Sequence, residues 1–214
     1  MPKINLFSTF FKCSDKKRQK ELDYCHEKNK ANPLIDAIKL FDGRPHYSDF
    51  FKETEKYPDD INILANADIY FNQTIEYLKY LQQGQAFAIT RWEEVDGKII
   101  KFEQRNAYNR QAQAKHSQDV WVFKGIAKVP GGNFYIGVPG CDNRIAWEMS
   151  RRYQVFNPCE TVQCVHYHKD AKREYNIPGD SIKQIPQPWK WIEPCGIDNQ
   201  GRILASSVVG RRAI

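Results

Sequence analysis

Four short stretches carry side chains able to move protons or hold a metal ion, each at a point where the chain changes character. Asn66-Ala67-Asp68 follows the apolar run Ile61-Asn62-Ile63-Leu64-Ala65, and Ser117-Gln118-Asp119 leads into Val120-Trp121-Val122-Phe123. Pro139-Gly140-Cys141-Asp142-Asn143-Arg144 opens a helical pattern, and His166-Tyr167-His168 closes an alternating one. A carboxylate at the end of a buried strand gives up hydration, and a metal ion or a bound polar ligand is one way to compensate it. A carboxylate within reach of a hydroxyl can serve as a general base. Two imidazoles spaced i, i+2 on a strand share a face. Plainer roles stand beside these: Asp68 can cap a helix starting near Thr74, Asp119 can pair with Arg144, and Asp142 can cap its own helix.

The elements that would position these groups follow from local pattern. Ile4 to Phe11 reads as a strand, and Asp15 to Lys30 as a helix started by Ser14 or Asp15 and stopped before Pro33. Leu34 to Phe41 returns as a strand, and a helix begins at Ser48 as N-cap. The Ile61 to Ala65 strand, a helix over Thr74 to Gln83 and a strand over Gln85 to Trp92 come next. Such alternation predicts an α/β fold with an open, mostly parallel sheet covered on both faces, the class in which ligands gather at the carboxyl ends of strands. Asp96-Gly97 supplies a hairpin turn. The polar stretch from Phe102 to Lys115 reads as a mobile loop or flap over an active site. A strand over Val120 to Ile126, a helix over Asp142 to Arg152 and a last strand over Cys159 to His168 complete the pattern. Beyond Pro178 the chain is rich in Pro and Trp and reads as an irregular C-terminal extension.

Composition narrows the class. The 214 residues are 41% hydrophobic and 27% charged, the balance of a globular domain with a core, not of a disordered chain. No apolar run approaches the roughly 20 residues that span a bilayer, and Met1 to Phe7 lacks the apolar core of a signal peptide. A soluble, cytoplasmic protein with no membrane partner is expected. Six cysteines without a CxxC pair suit reduced thiols. The net charge of +6, with a basic cluster over Lys12 to Lys20, suits anionic ligands, whether diphosphates or nucleic acid, and equally suits a solvated helix face.

With these residues assembled, a resemblance emerges. The ordered set Ile4-Asn5-Leu6-Phe7-Ser8-Thr9-Phe10-Phe11, Leu64 to Phe71, Ser117 to Trp121, Gly140 to Arg144 and Val165 to His168 resembles small glycosyltransferases of the GT-A fold. The resemblance covers Ile4 to Tyr175. It implies a GT-A-like domain over residues 1–177, with a Rossmann-type donor-binding half to about residue 92, an acceptor half over 93–177 and the extension at 178–214. It further implies a nucleotide-diphosphate sugar as donor and a divalent cation, Mn²⁺ or Mg²⁺, on its diphosphate. The family's Asp-x-Asp motif corresponds to Asn66-Ala67-Asp68, where the first carboxylate is replaced by a neutral amide. Asp68 then serves as the motif's only anionic ligand, with His166 or His168 completing the shell, a donor set better suited to Mn²⁺ than to Mg²⁺.

The same resemblance assigns roles elsewhere. Asp142 is the first choice for the base of an inverting transfer, at a helix start expected to keep its pKa low, and Asp119 is the second. Thr9, Asp42 and Arg91, each at a strand end, are expected to contact the donor's nucleotide, ribose or phosphate. Acceptors in such enzymes include polysaccharide, lipid and protein, and, in viral enzymes acting in the host cytoplasm, hydroxymethylated bases in DNA. The basic balance favours the last, and the base would have to leave its stack to react. A structural zinc site over Cys159, Cys164, His166 and His168 fits no common spacing, because alternation sends Cys159 and Cys164 to opposite faces. A two-metal nuclease lacks enough clustered carboxylates. A non-catalytic nucleic-acid-binding module explains the charge and the tail Trp189-Lys190-Trp191, but leaves the carboxylates at the strand ends without a role.

Overall fold

A computed structural model describes residues 2–102, 114–169 and 184–205. The first half alternates as the pattern predicts. Strand β1 (Ile4–Phe10) leads to helix α1 (Lys16–Lys30), whose cap is Asp15, accepting from the backbone of Lys17 and Arg18. Strand β2 (Ala37–Asp42) and helix α2 (Tyr47–Glu53) follow. The cap of α2 is His46, not Ser48: Asp49 reaches back to the His46 amide at 2.8 Å, which starts the helix earlier than Ser48 would. After β3 (Ile61–Ala65) and β4 (Ile69–Phe71), the expected helix over Thr74 to Gln83 is a 3₁₀ segment, Gln73–Tyr80, capped by Asn72. Asp68 is therefore not its cap.

The remaining strands are β5 (Gln85–Ile89), β6 (Trp92–Val95), β7 (Lys98–Lys101), β8 (Val120–Lys124), β9 (Gln154–Phe156), β10 (Cys164–His166), β11 (Cys195–Ile197) and β12 (Ile203–Ala205). Helix α3 (Cys141–Ser150) precedes β9. Asp96 and Gly97 both take positive φ, 50° and 74°, as a tight β6–β7 hairpin requires. The flap expected over 102–115 lies mostly outside the described residues.

Six strands form one mixed sheet in the order β2-β1-β3-β8-β5-β9. Strands β1, β2, β3, β5 and β9 run one way, and β8 alone runs against them. Strand alternation gives each face its own core. Ile61, Ile63, Phe87, Ile89, Val120 and Val122 bury on one face with Ile75, Leu78 and Val162. Phe7, Leu64, Trp121 and Phe123 bury on the other with Phe50 of α2 and Ile145, Ala146 and Met149 of α3. Helices α2 and α3 thus cover one face. The other is covered by the 3₁₀ segment and by a second sheet, β4-β10-β6-β7, against which α1 packs through Cys25.

The C-terminal stretch departs from expectation. Its described part forms an antiparallel pair, β11–β12, and buries Ile197 in one core and Ile192 in the other, with Cys195 buried between them in sequence. Thr161 bonds both the amide and the carbonyl of Ile197, fixing the pair to the domain. These apolar residues are interrupted by Glu193, Pro194 and Gly196, so they do not stand out as an element from the surrounding Pro and Trp. All six cysteines are free thiols. No helix among the described residues is long and apolar enough to cross a membrane.

Candidate functional site

The reversed direction of β8 is what builds the site. Because β8 is antiparallel to β3 and β5, its start lies beside their ends: Val120 pairs with Ala65 on one side and Ile89 on the other. The residue before one strand thereby meets the residues after two others. Asn66 donates to Asp119 Oδ1 at 2.9 Å, and Arg91 Nη1 donates to Asp119 Oδ2 at 2.8 Å. The second sheet adds the histidines. Strand β10 pairs antiparallel with β4 and parallel with β6, which sets His166 opposite Ile69 and Glu93. The Tyr167 amide donates to the Asp68 carbonyl at 3.0 Å, closing β10 onto the loop that carries Asp68.

These edges enclose a cavity of about 580 Å³ lined by Thr9, Asn66, Asp68, Arg91, Asp119, Asp142, His166 and His168 among others. All the expected site residues but one are therefore together. The exception is Asp42. Phe41 turns inward onto Phe7 at a centroid distance of 6.3 Å, so alternation sends Asp42 out to solvent. Its successors Gly43 and Arg44 line the cavity instead.

At one end, Asp68 is the hub of a charged chain. Its Oδ2 takes a short hydrogen bond from Arg18 of α1 and lies 3.2 Å from His166 Nε2. His166 Nδ1 lies 2.8 Å from Glu93 Oε2, and Glu93 Oε1 accepts from Arg91 Nε at 2.8 Å. Burial alone would raise the Asp68 carboxyl, but His166 and Arg18 outweigh it and hold it well below the usual carboxylate range. Glu93 behaves likewise: burial is overcome by His166 and Arg91, and its pKa falls to about 2. Burial would lower His166, yet Asp68 and Glu93 raise it to about 9, so the ring is an imidazolium donating from both nitrogens.

Asp68, His166 and His168 each offer one ligand atom, and these atoms lie within 4.8 Å of one another. The set fits a divalent cation on two grounds. One carboxylate and two imidazoles form a donor group that Mn²⁺, Fe²⁺ and Zn²⁺ accept. Glu93 stands behind His166 as an outer-shell carboxylate does at metal-binding histidines, orienting the ring and directing Nε2 inward. An entering ion must displace the His166 Nε2 proton and competes with the Arg18 guanidinium for Asp68. No cysteine joins this group among the described residues, and Cys159 and Cys164 lie in the apolar core, so a Cys–His zinc site does not form.

The other end centres on Asp142 in the first turn of α3, where the expectation of a low pKa is overturned. Burial, then the nearby Asp119 charge, push Asp142 up to about 6, against the lowering pull of backbone N–H groups at Asn143, Gln118 and Asp142 itself. The helix start is real, but α3 is only ten residues long and its dipole does not offset the lost hydration. Asp119 pairs with Arg91, not with Arg144, which is held by Glu148. Gln118 Oε1, Trp121 Nε1 and Asn143 Oδ1, all on lining residues, have no hydrogen-bond partner among the described residues. Buried polar atoms are normally paired, so their clustering here marks a wall shaped for a polar ligand.

Arg18 and Glu93 were missed by sequence reasoning. Arg18 belongs to the basic cluster at the start of α1, a sign too general to single it out. Glu93 sits second in a short strand, and nothing local reveals that a later strand will set a histidine against it. Compared with known proteins, the chain matches no family model and no curated protein.

Proposed function

We propose that this protein is a glycosyltransferase of GT-A type that moves a sugar from a nucleotide-diphosphate sugar to a hydroxyl acceptor. The observation carrying this reading is a single cavity with two carboxylates in opposed electrostatic settings: Asp68, kept anionic among cations, and Asp142, raised to about 6. Sites that set two carboxylates apart in this way divide charge stabilisation from proton transfer. Asp68 with His166 and His168 would hold a divalent ion, which when bound neutralises the leaving diphosphate. Asp142 takes the proton from the acceptor hydroxyl as that oxygen attacks the anomeric carbon and the diphosphate departs with the bonding electrons on the opposite side. A base with a pKa near 6 is ionised at neutral pH and still basic enough to receive that proton. Arg91 holds Glu93 through Nε and Asp119 through Nη1, which also donates to Ser117.

For the acceptor, the net charge of +6 favours a hydroxymethylated base in DNA over polysaccharide or protein. Phosphate contacts would make binding of duplex DNA fall steeply with salt. Absence of DNA binding at low salt removes that acceptor.

Calorimetric titration with a panel of nucleoside diphosphates and nucleotide sugars, with and without Mn²⁺, tests the reading itself. Metal-dependent binding of one nucleotide supports it. No binding under any condition refutes it and returns the basic module without chemistry to first place.

A further inference from the structure

We infer that Arg18 is a built-in counter-cation for Asp68 that passes to the donor's diphosphate when a divalent ion takes its place. This rests on the glycosyltransferase reading above. Arg18 sits in the first turn of α1, fixed there by its amide bond to Asp15 Oδ1 at 3.2 Å. One arm of its guanidinium, Nη1, is held by Glu21 Oε2 at 2.8 Å, while the other, Nη2, is bonded to Asp68 Oδ2. That same oxygen is the one facing both imidazoles, 3.2 Å from His166 Nε2 and 4.0 Å from His168 Nδ1. The guanidinium therefore binds the same oxygen that an ion shared with the two histidines would use.

An ion on that oxygen competes with the Arg18–Asp68 bond, because like charges brought to one carboxylate oxygen repel each other. Arg18 does not leave the cavity when the bond breaks. Glu21 retains Nη1, and Glu21 is itself fixed by the Lys169 amide, which donates to Oε1 at 2.7 Å. Arg18 lines the cavity together with Thr9 and Lys12, so the released arm stays within the space a donor would enter. A guanidinium fork there matches a phosphate of the donor, and its charge adds to that of the ion. The geometry gives Arg18 opposite effects on two bindings. It opposes the ion alone, because the two compete for Asp68. It favours the nucleotide in the presence of the ion, because both then serve the diphosphate.

The test uses the full chain and two titrations: Mn²⁺ alone, read from the electron paramagnetic resonance of the free ion, and uridine, guanosine, thymidine and adenosine diphosphates at saturating Mn²⁺, read by calorimetry. Arg18→Gln is expected to bind Mn²⁺ roughly tenfold more tightly and the preferred nucleoside diphosphate roughly tenfold more weakly. Circular dichroism checks its fold. Glu21→Gln, which leaves the Arg18–Asp68 bond in place, serves as the second variant and is expected to weaken the nucleotide only. If wild-type protein binds both ligands and Arg18→Gln weakens both or changes neither, the role of Arg18 is overturned while the transferase reading stands. If wild-type protein binds Mn²⁺ but no nucleotide, the transferase reading falls and the transfer of Arg18 to phosphate falls with it.

Discussion

Asp68 and Asp142 stand in the same cavity, yet their surroundings drive them in opposite directions. Both are carboxylates that have lost hydration. Asp68 has regained more than it lost from His166 and Arg18, whereas Asp142 faces the negative charge of Asp119 and only neutral amides in return. The difference teaches that burial by itself does not decide what a carboxylate does. The charge of the nearest neighbours decides, and those neighbours arrive from elements far apart in sequence. A proton-accepting role suits the group whose ionised form is the less comfortable, and an ion-holding role suits the other.

The comparison can be broken most forcefully at Asp142. Asp142→Asn is expected to lower turnover by about 10²–10⁴-fold while leaving nucleotide binding in the calorimeter unchanged; full activity would remove Asp142 as the base. In the wild type, kcat/KM should rise with pH through about 6, because the carboxyl must be ionised to accept a proton. The stability effect has the opposite sign. A carboxyl raised above its unfolded value contributes a stabilising term that is complete below about pH 4 and lost as pH rises through about 6. Asp142→Asn should therefore raise the melting temperature at pH 7.5, by something on the order of 1–2 kcal/mol in stability, and leave it nearly unchanged at pH 4. Thermal melts of both proteins at the two pH values check the sign.

Asp68→Ala attacks the other end. Metal-dependent nucleotide binding should be lost by more than the roughly 100-fold that removal of an outer-shell partner costs. Arg18 and His166 then each lose one of two carboxylate partners, keeping Glu21 and Glu93, so this variant should also be less stable, by about 1–3 kcal/mol, measurable by urea denaturation. Retention of Mn²⁺ affinity would exclude Asp68 as a ligand. Glu93→Gln is a milder probe, since it keeps the side chain's shape and removes the charge that His166 and Arg91 share. Mn²⁺ affinity is expected to fall by about 10–100-fold with no change in the pH profile of turnover.

Asp119→Asn gives the smallest effect and sharpens the contrast most directly. Removing that charge takes away the second cause of the raised Asp142 pKa. The rising limb of kcat/KM should move to lower pH, with Mn²⁺ affinity unchanged. An unmoved limb would mean that burial alone sets Asp142, or that another group titrates.

How much of this was legible beforehand depends on the distance over which each feature is set. Strand β1, the Asp15-capped helix and the Asp96-Gly97 hairpin follow from side-chain alternation, capping and positive φ, all decided within a few residues. The split of Val162, Cys164, His166 and His168 from Val165 and Tyr167 was likewise readable from alternation, and the cores divide along it. The cap of α2 was misread because Ser48 competes with a His46–Asp49 box that only the backbone entry selects. The helix expected over Thr74 to Gln83 is tightened to a 3₁₀ segment, and the tail, which reads as irregular chain, buries Ile192 and Ile197 in the two cores.

By itself, then, the sequence determined that carboxylates and imidazoles stand at the ends of elements in an α/β chain, since that is a matter of local pattern. It could not determine which of them face one another. The antiparallel run of β8 turns Asp119 toward Asn66 and Arg91, and the pairing of β10 with both β4 and β6 sets His166 between Asp68 and Glu93. Helix α1 brings Arg18 across some fifty positions of sequence to the same carboxylate. The fate of Asp142 was decided in the same way, by hydration lost to packing and by a neighbour 23 positions away. Charge acts through space and falls off with distance, so the protonation that fits each carboxylate for its role exists only once the chain has folded.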